Sequence, residues 1–185
     1  MGVATGLSLN SIIGLLSLVV LGLITTNVVN LGRLLDYDYT TLPADFPVEA
    51  QTLQTLKIAN GALLVVPIAM FLMSAYAVGS TVAAPEKAVM KEVTSGGQSR
   101  IQKRPILFGT LFFVLSGAVI GVLVTTGIVF GNLAAASRPE GFPLTGEKLD
   151  TLKKVSLYTT IVPGLIMIFG LALIFKAIKA KKSAE

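Results

Sequence analysis

The chain has 185 residues, 53% of them hydrophobic and 14% charged, with a net charge of +5 and a mean hydropathy of +0.79. That is too apolar for an ordinary soluble domain of this size and predicts an integral membrane protein. Cysteine and histidine are both absent, which excludes disulfides, thiolate metal sites and cysteine nucleophiles and removes the commonest side-chain ligands of haem, copper and zinc.

In chain order, the first apolar stretch covers residues 9–31. It lacks a positive leading segment and an Ala-x-Ala site and exceeds the usual signal-peptide core, so a retained helix is expected. Gly6 stands where a myristoylation signal needs Ser or Thr, which disfavours lipidation of Gly2. The following loop carries Asp36, Asp38, Asp45 and Glu49. Its Asp36-Tyr37-Asp38-Tyr39 run offers two carboxylates for an oxygen-ligand calcium site, but Asp-x-Asp without further acidic spacing reads more simply as a solvated acidic loop. The loop ends in Phe46-Pro47, and Pro tolerates the first helical turn after it but disfavours helix before it, so the next helix should begin in the headgroup layer.

The second apolar stretch covers residues 58–82, with Lys57 as its interfacial anchor and Pro67 as an expected kink. A basic segment, residues 85–105, holds Lys87, Lys91, Arg100, Lys103 and Arg104 around a flexible Ser95-Gly96-Gly97-Gln98-Ser99. The third stretch, residues 106–133, carries Gly117, Gly121, Gly127 and Gly131 in two Gly-x-x-x-Gly pairs. Such glycines allow close helix packing where lipid gives no hydrophobic drive for association. After a mixed-charge loop ending in Phe142-Pro143 comes Lys153, the second anchor, and then the fourth stretch, residues 155–175, with Pro163 as the second kink. The tail is basic, with Lys176, Lys179, Lys181 and Lys182.

This order contains a repeat. Residues 46–67 align with residues 142–163, with eight of 22 positions identical, including Phe-Pro, Leu-x-Thr-Leu-Lys and Val-Pro. At an offset of 100, Leu15, Val19, Leu23, Thr25, Thr26 and Val29 recur as Leu115, Val119, Leu123, Thr125, Thr126 and Val129. The expected fold is an all-α integral membrane protein of four transmembrane helices, built as two tandem helical hairpins in parallel repeat. The first hairpin is residues 1–84, the basic linker residues 85–105, and the second hairpin with its tail residues 106–185. The positive-inside bias puts the linker and both termini on the cytoplasmic side.

No acidic or basic side chain lies mid-span, which argues against a proton-coupled carrier or a voltage sensor. The Thr25-Thr26 and Thr125-Thr126 pairs are expected to bond to carbonyls of their own helices. The chain lacks the cysteine pair and tryptophan of claudin-like tetraspans and the intramembrane glutamate of small multidrug carriers. The expected function is a non-catalytic structural subunit of a larger membrane complex of oxidoreductase, monooxygenase or photosynthetic type. Its partners would be other membrane subunits and lipids, with no nucleic acid. No cofactor would be ligated by its own side chains, although lipids or pigments could rest on it through apolar contact. The alternative is an oligomeric channel for an uncharged solute; an enzyme is not expected, because no nucleophile–base pair is recognisable.

Overall fold

The computed structural model describes residues 3–42, 46–83 and 105–182. The basic linker residues up to Arg104 and the glycine-rich element within them lie outside the described residues, as does Asp45. Among the described residues six α-helices follow one another: α1 (Val3–Leu35), α2 (Ala50–Leu63), α3 (Val65–Ala83), α4 (Pro105–Ala135), α5 (Gly146–Thr159) and α6 (Ile161–Lys182), with a 3₁₀ turn at Tyr39–Thr41. No strand occurs among the described residues.

Among the described residues four segments are long and apolar enough to cross a membrane: Gly14–Leu35, Ala50–Tyr76, Gly109–Ala135 and Gly146–Ala172. The helices begin well before the second and fourth apolar stretches, at Ala50 and Gly146, for the reason the Phe-Pro signals gave. Thr145 caps α5, its side chain accepting from the Lys148 N–H at 3.3 Å, whereas Glu49 at the equivalent place before α2 makes no side-chain cap.

The second and fourth spans are each interrupted once. The α-helical ladder stops at Leu64, between α2 and α3, and at Thr160, between α5 and α6. Each break lies three residues before a buried proline, Pro67 or Pro163. The proline nitrogen has no hydrogen to give Leu63 or Thr159, four residues earlier, and its ring crowds the same carbonyl. The last turn therefore tightens, with Leu64 N donating to Gly61 O at 3.2 Å and Thr160 N to Leu157 O at 3.2 Å.

Two compact units divide the chain, and each takes segments from both sequence halves. One comprises residues 20–65 and 118–163, the other residues 1–19, 66–117 and 164–185. In the first, the leading turns of α2 and α5 are amphipathic. Leu53, Leu56 and Asn60 of α2, and Leu149, Leu152, Ser156 and Thr159 of α5, are buried at helical spacing, while Gln51, Thr52, Gln54 and Thr55 are exposed. They close a core with Leu31, Leu34, Val48, Phe130, Leu133 and Leu144. Where that core meets water, each such side chain contributes about 1.5–3 kcal/mol.

The second unit holds its helices together through small residues. A Cβ on Gly109 of α4 would lie 2.7 Å from Gly170 O of α6, and a Cβ on Gly170 would lie 2.7 Å from Gly109 O. Backbone meets backbone there, which is how helices associate in lipid. Gly14 of α1 meets Ser74 of α3 in a similar way, a Cβ being 2.9 Å from Ser74 Oγ. The outer faces are apolar, with Leu15, Leu72, Val114, Leu165 and Ile168 exposed, as lipid-facing helices require.

Candidate functional site: a buried amide layer beneath an aromatic cap

In the unit made of residues 20–65 and 118–163, the side chains that interrupt the apolar interior are neutral. Asn27, Asn30, Asn60, Thr126, Ser156 and Thr159 are all buried. Asn60 Nδ2 donates to its own helix at Leu56 O, 2.8 Å, and across to Thr126 Oγ1 of α4, 2.9 Å. Ser156 Oγ of α5 donates to Asn27 Oδ1 of α1 at 3.3 Å. Asn30 Nδ2 donates back to Thr26 O at 2.8 Å, and Thr159 Oγ1 to Val155 O at 2.6 Å. The two cross-helix bonds tie α2 to α4 and α5 to α1. An amide inside a span is costly unless it is bonded, and these bonds offset that cost while fixing which helix faces meet.

Three amide atoms remain unpaired by protein: Asn27 Nδ2, Asn30 Oδ1 and Asn60 Oδ1. The sequence displayed these asparagines as polar residues of the spans but gave no sign that they gather in one layer; the signal was the cost of each buried amide, which demands a partner. The threonine pairs behave as expected. Thr25, Thr26, Thr125 and Thr126 donate to Leu21 O, Gly22 O, Gly121 O and Val122 O at 2.7–2.9 Å.

Lys57 and Lys153 each lie over a glycine of the preceding helix. A Cβ on Gly32 would lie 3.4 Å from Lys57 Nζ, and a Cβ on Gly131 would lie 3.1 Å from Lys153 Cδ. The missing side chain leaves a shallow path for the lysine stem, so its ammonium can run along the helix while its methylenes stay covered. Gly127 is also closely packed, with a Cβ position 3.1 Å from Leu157 Cδ2. Gly117 and Gly121 differ. Both are exposed, and a Cβ on either would meet nothing within 4 Å. A helix neighbour was expected at all four glycines; among the described residues none stands within 4 Å of a Cβ on these two, which lie on an exposed side of α4.

At the loop end of the same unit, four rings form a cap. Tyr37 packs on Tyr39 and Phe142 with centroids 6.1 and 5.3 Å apart, and Phe46 packs on Tyr39 and Phe142 at 6.4 and 6.0 Å. The phenylalanines of both Phe-Pro elements thus share one cluster. Tyr39 is half-buried, and burial pushes its phenol from the ordinary 10 up to about 12. Asp38 caps the 3₁₀ turn, accepting from Thr40 N at 3.0 Å and Thr40 Oγ1 at 2.6 Å, which holds its carboxyl below the usual carboxylate range. Arg138 was not singled out by the sequence. Its guanidinium donates to Leu133 O at 2.8 Å and Ala134 O at 2.7 Å, closing the C-terminal end of α4.

Comparison with protein-family models, curated proteins and solved structures finds no match for this chain. Its function is therefore read from its own residues.

Proposed function

We propose that the protein is a multi-pass, non-catalytic structural subunit of a larger membrane complex, with its termini on the cytoplasmic side. The observation that carries the reading is the chemistry of the interior. Among the described residues the buried polar side chains are serine, threonine and asparagine, and their cross-helix bonds join helices instead of preparing an acid, base or nucleophile. Apolar outer faces and the exposed Gly117 and Gly121 supply surface for lipid and for neighbouring helices.

The reading includes descent from a duplicated hairpin, with a pseudo-twofold axis along the membrane normal. Supporting this are three paired features: Lys57 on Gly32 beside Lys153 on Gly131, the breaks at Leu64 and Thr160, and the cross-helix bonds of Asn60 and Ser156, which occupy equivalent places in the 46–67 and 142–163 repeat. Any haem, iron–sulfur cluster, copper or zinc of the assembly would be ligated by partner chains. Extraction of native membranes in mild detergent tests the proposal. A stable complex containing the chain is the expected result, and recovery of a free monomer alone would overturn it.

The three unpaired amide atoms favour a second reading, an oligomeric facilitator for an uncharged solute. Vesicles carrying the pure protein would then pass such a solute faster than empty vesicles.

A further inference from the structure

The layer of Asn27, Asn30, Asn60, Thr126 and Ser156 holds more hydrogen-bonding capacity than it uses. Asn27, Asn30 and Asn60 are 1%, 4% and 0% exposed, yet Asn27 Nδ2, Asn30 Oδ1 and Asn60 Oδ1 have no protein partner. A buried amide group left unpaired costs about 1–3 kcal/mol, and three in one layer call for something that pairs them.

The residues lie on neighbouring helical turns. Asn60 is bonded to Thr126 and Ser156 to Asn27. Gly127 of α4 lies against Leu157 and the Lys153 carbonyl of α5, so in the antiparallel pair α4–α5 Ser156 comes level with Thr126. The two bonded pairs are therefore neighbours in height, and Asn30 is one turn from Asn27 on the same side of α1.

The unpaired atoms also define the ligand. Asn60 Nδ2 and Asn30 Nδ2 are committed to the carbonyls of Leu56 and Thr26, which an amide oxygen could not replace, so Oδ1 of each is a fixed acceptor. Asn27 can turn its amide, because its partner Ser156 is a hydroxyl that either donates or accepts. A ligand must then bring at least two donors and meet one adjustable group. Anions bring none. A cation would be desolvated with no buried carboxylate among the described residues to balance it, and the cost of that burial is prohibitive.

We propose that this amide layer is a binding site for a small neutral molecule with at least two hydrogen-bond donors and a lone pair, and that water is its resident ligand. Buried waters typically take two to four such partners. The inference rests on neither functional reading above, since a structural subunit and a facilitator would both need these atoms paired.

The test uses the full chain in lipid nanodiscs with nitrogen-labelled asparagine side chains, reading magnetisation transfer between water and the side-chain amides. Long-lived water contacts at Asn27, Asn30 and Asn60 are expected, distinguishable from the brief contacts of the exposed Asn132. Asn30→Leu should abolish the signal at Asn27 while leaving Asn132 unchanged. Absence of long-lived contacts in the wild-type chain overturns the proposal. Replacing choline chloride by sodium chloride is the second arm and needs no variant: an unchanged water signal supports a neutral ligand, and its loss identifies a cation site and overturns the proposal. If Asn30→Leu does not fold, the wild-type signal and its sodium response decide alone.

Discussion

At the residue scale the buried amides carry definite energies. Thr126→Val removes the acceptor of Asn60 Nδ2 while keeping the volume of the side chain, leaving the amide only its bond to Leu56 O. Combined with Asn60→Leu in a double-mutant cycle, it should give a coupling of about 0.6 kcal/mol and no more than about 1.7 kcal/mol, the range of such bonds between membrane helices. Reversible unfolding in mixed micelles measures it, and a coupling indistinguishable from zero would show that the bond does not form. Tyr39 makes a prediction in pH. Its phenol is raised by burial from 10 to about 12, so the folded chain holds a proton that the unfolded chain releases. Folding is unaffected below pH 10 and weakens as pH rises from 10 towards about 12. Ultraviolet titration of the chain should show a late phenol ionisation at about 12, and Tyr39→Phe should remove that step. Asp38 has the opposite sign: its lowered value means the turn cap is intact above the ordinary carboxylate range and is lost on acidification through its folded value. Because that carboxylate is exposed, the effect is a local loosening of the Tyr39–Thr41 turn.

At the element scale, the four membrane-length segments, the two breaks and the early starts of α2 and α5 were legible because each has a local cause: apolar length, a proline, a Phe-Pro boundary. The packing of glycines was not. Gly117 and Gly121 match the same pattern as Gly127 and Gly131, yet only the latter pair is covered, by Leu157 and Lys153. A Gly-x-x-x-Gly spacing fixes which glycines share a side of α4 but not which helix, if any, faces that side. Gly109 and Gly170, where an added Cβ on either would come 2.7 Å from the other's carbonyl oxygen, belong to no shared motif and lie 61 positions apart. Gly109→Ala should therefore destabilise by about 1–3 kcal/mol, since the new methyl meets backbone that cannot rotate away. Gly22→Ala, where a Cβ meets nothing within 4 Å, should be neutral or stabilising by up to about 1 kcal/mol through helix propensity. Thermal melts of the two variants in one detergent give the comparison, and equal midpoints would contradict the contact.

At the scale of the whole molecule, each compact unit draws on both sequence halves, because α1 and α4 run through both units and the breaks at Leu64 and Thr160 fall near the unit boundaries. A sequence division at the linker follows the order of the chain, while each unit gathers segments from both sides of that linker. The amide layer was hidden for a related reason: its two cross-helix bonds join Asn60 to Thr126 over 66 positions and Asn27 to Ser156 over 129, and Asn30 lies in another span from Asn60. What remains on the outside then tests the structural-subunit proposal. A Cβ on Gly117 or Gly121 meets none of the described residues within 4 Å, and Gly117→Leu with Gly121→Leu improves helix propensity at both positions. The isolated protein should lose no thermal stability. If that side receives a neighbouring subunit, the same pair of leucines must hold the two backbones apart, and the native complex recovered from membranes should fall to a small fraction of its wild-type amount. Full assembly of the double variant would assign that side of α4 to lipid.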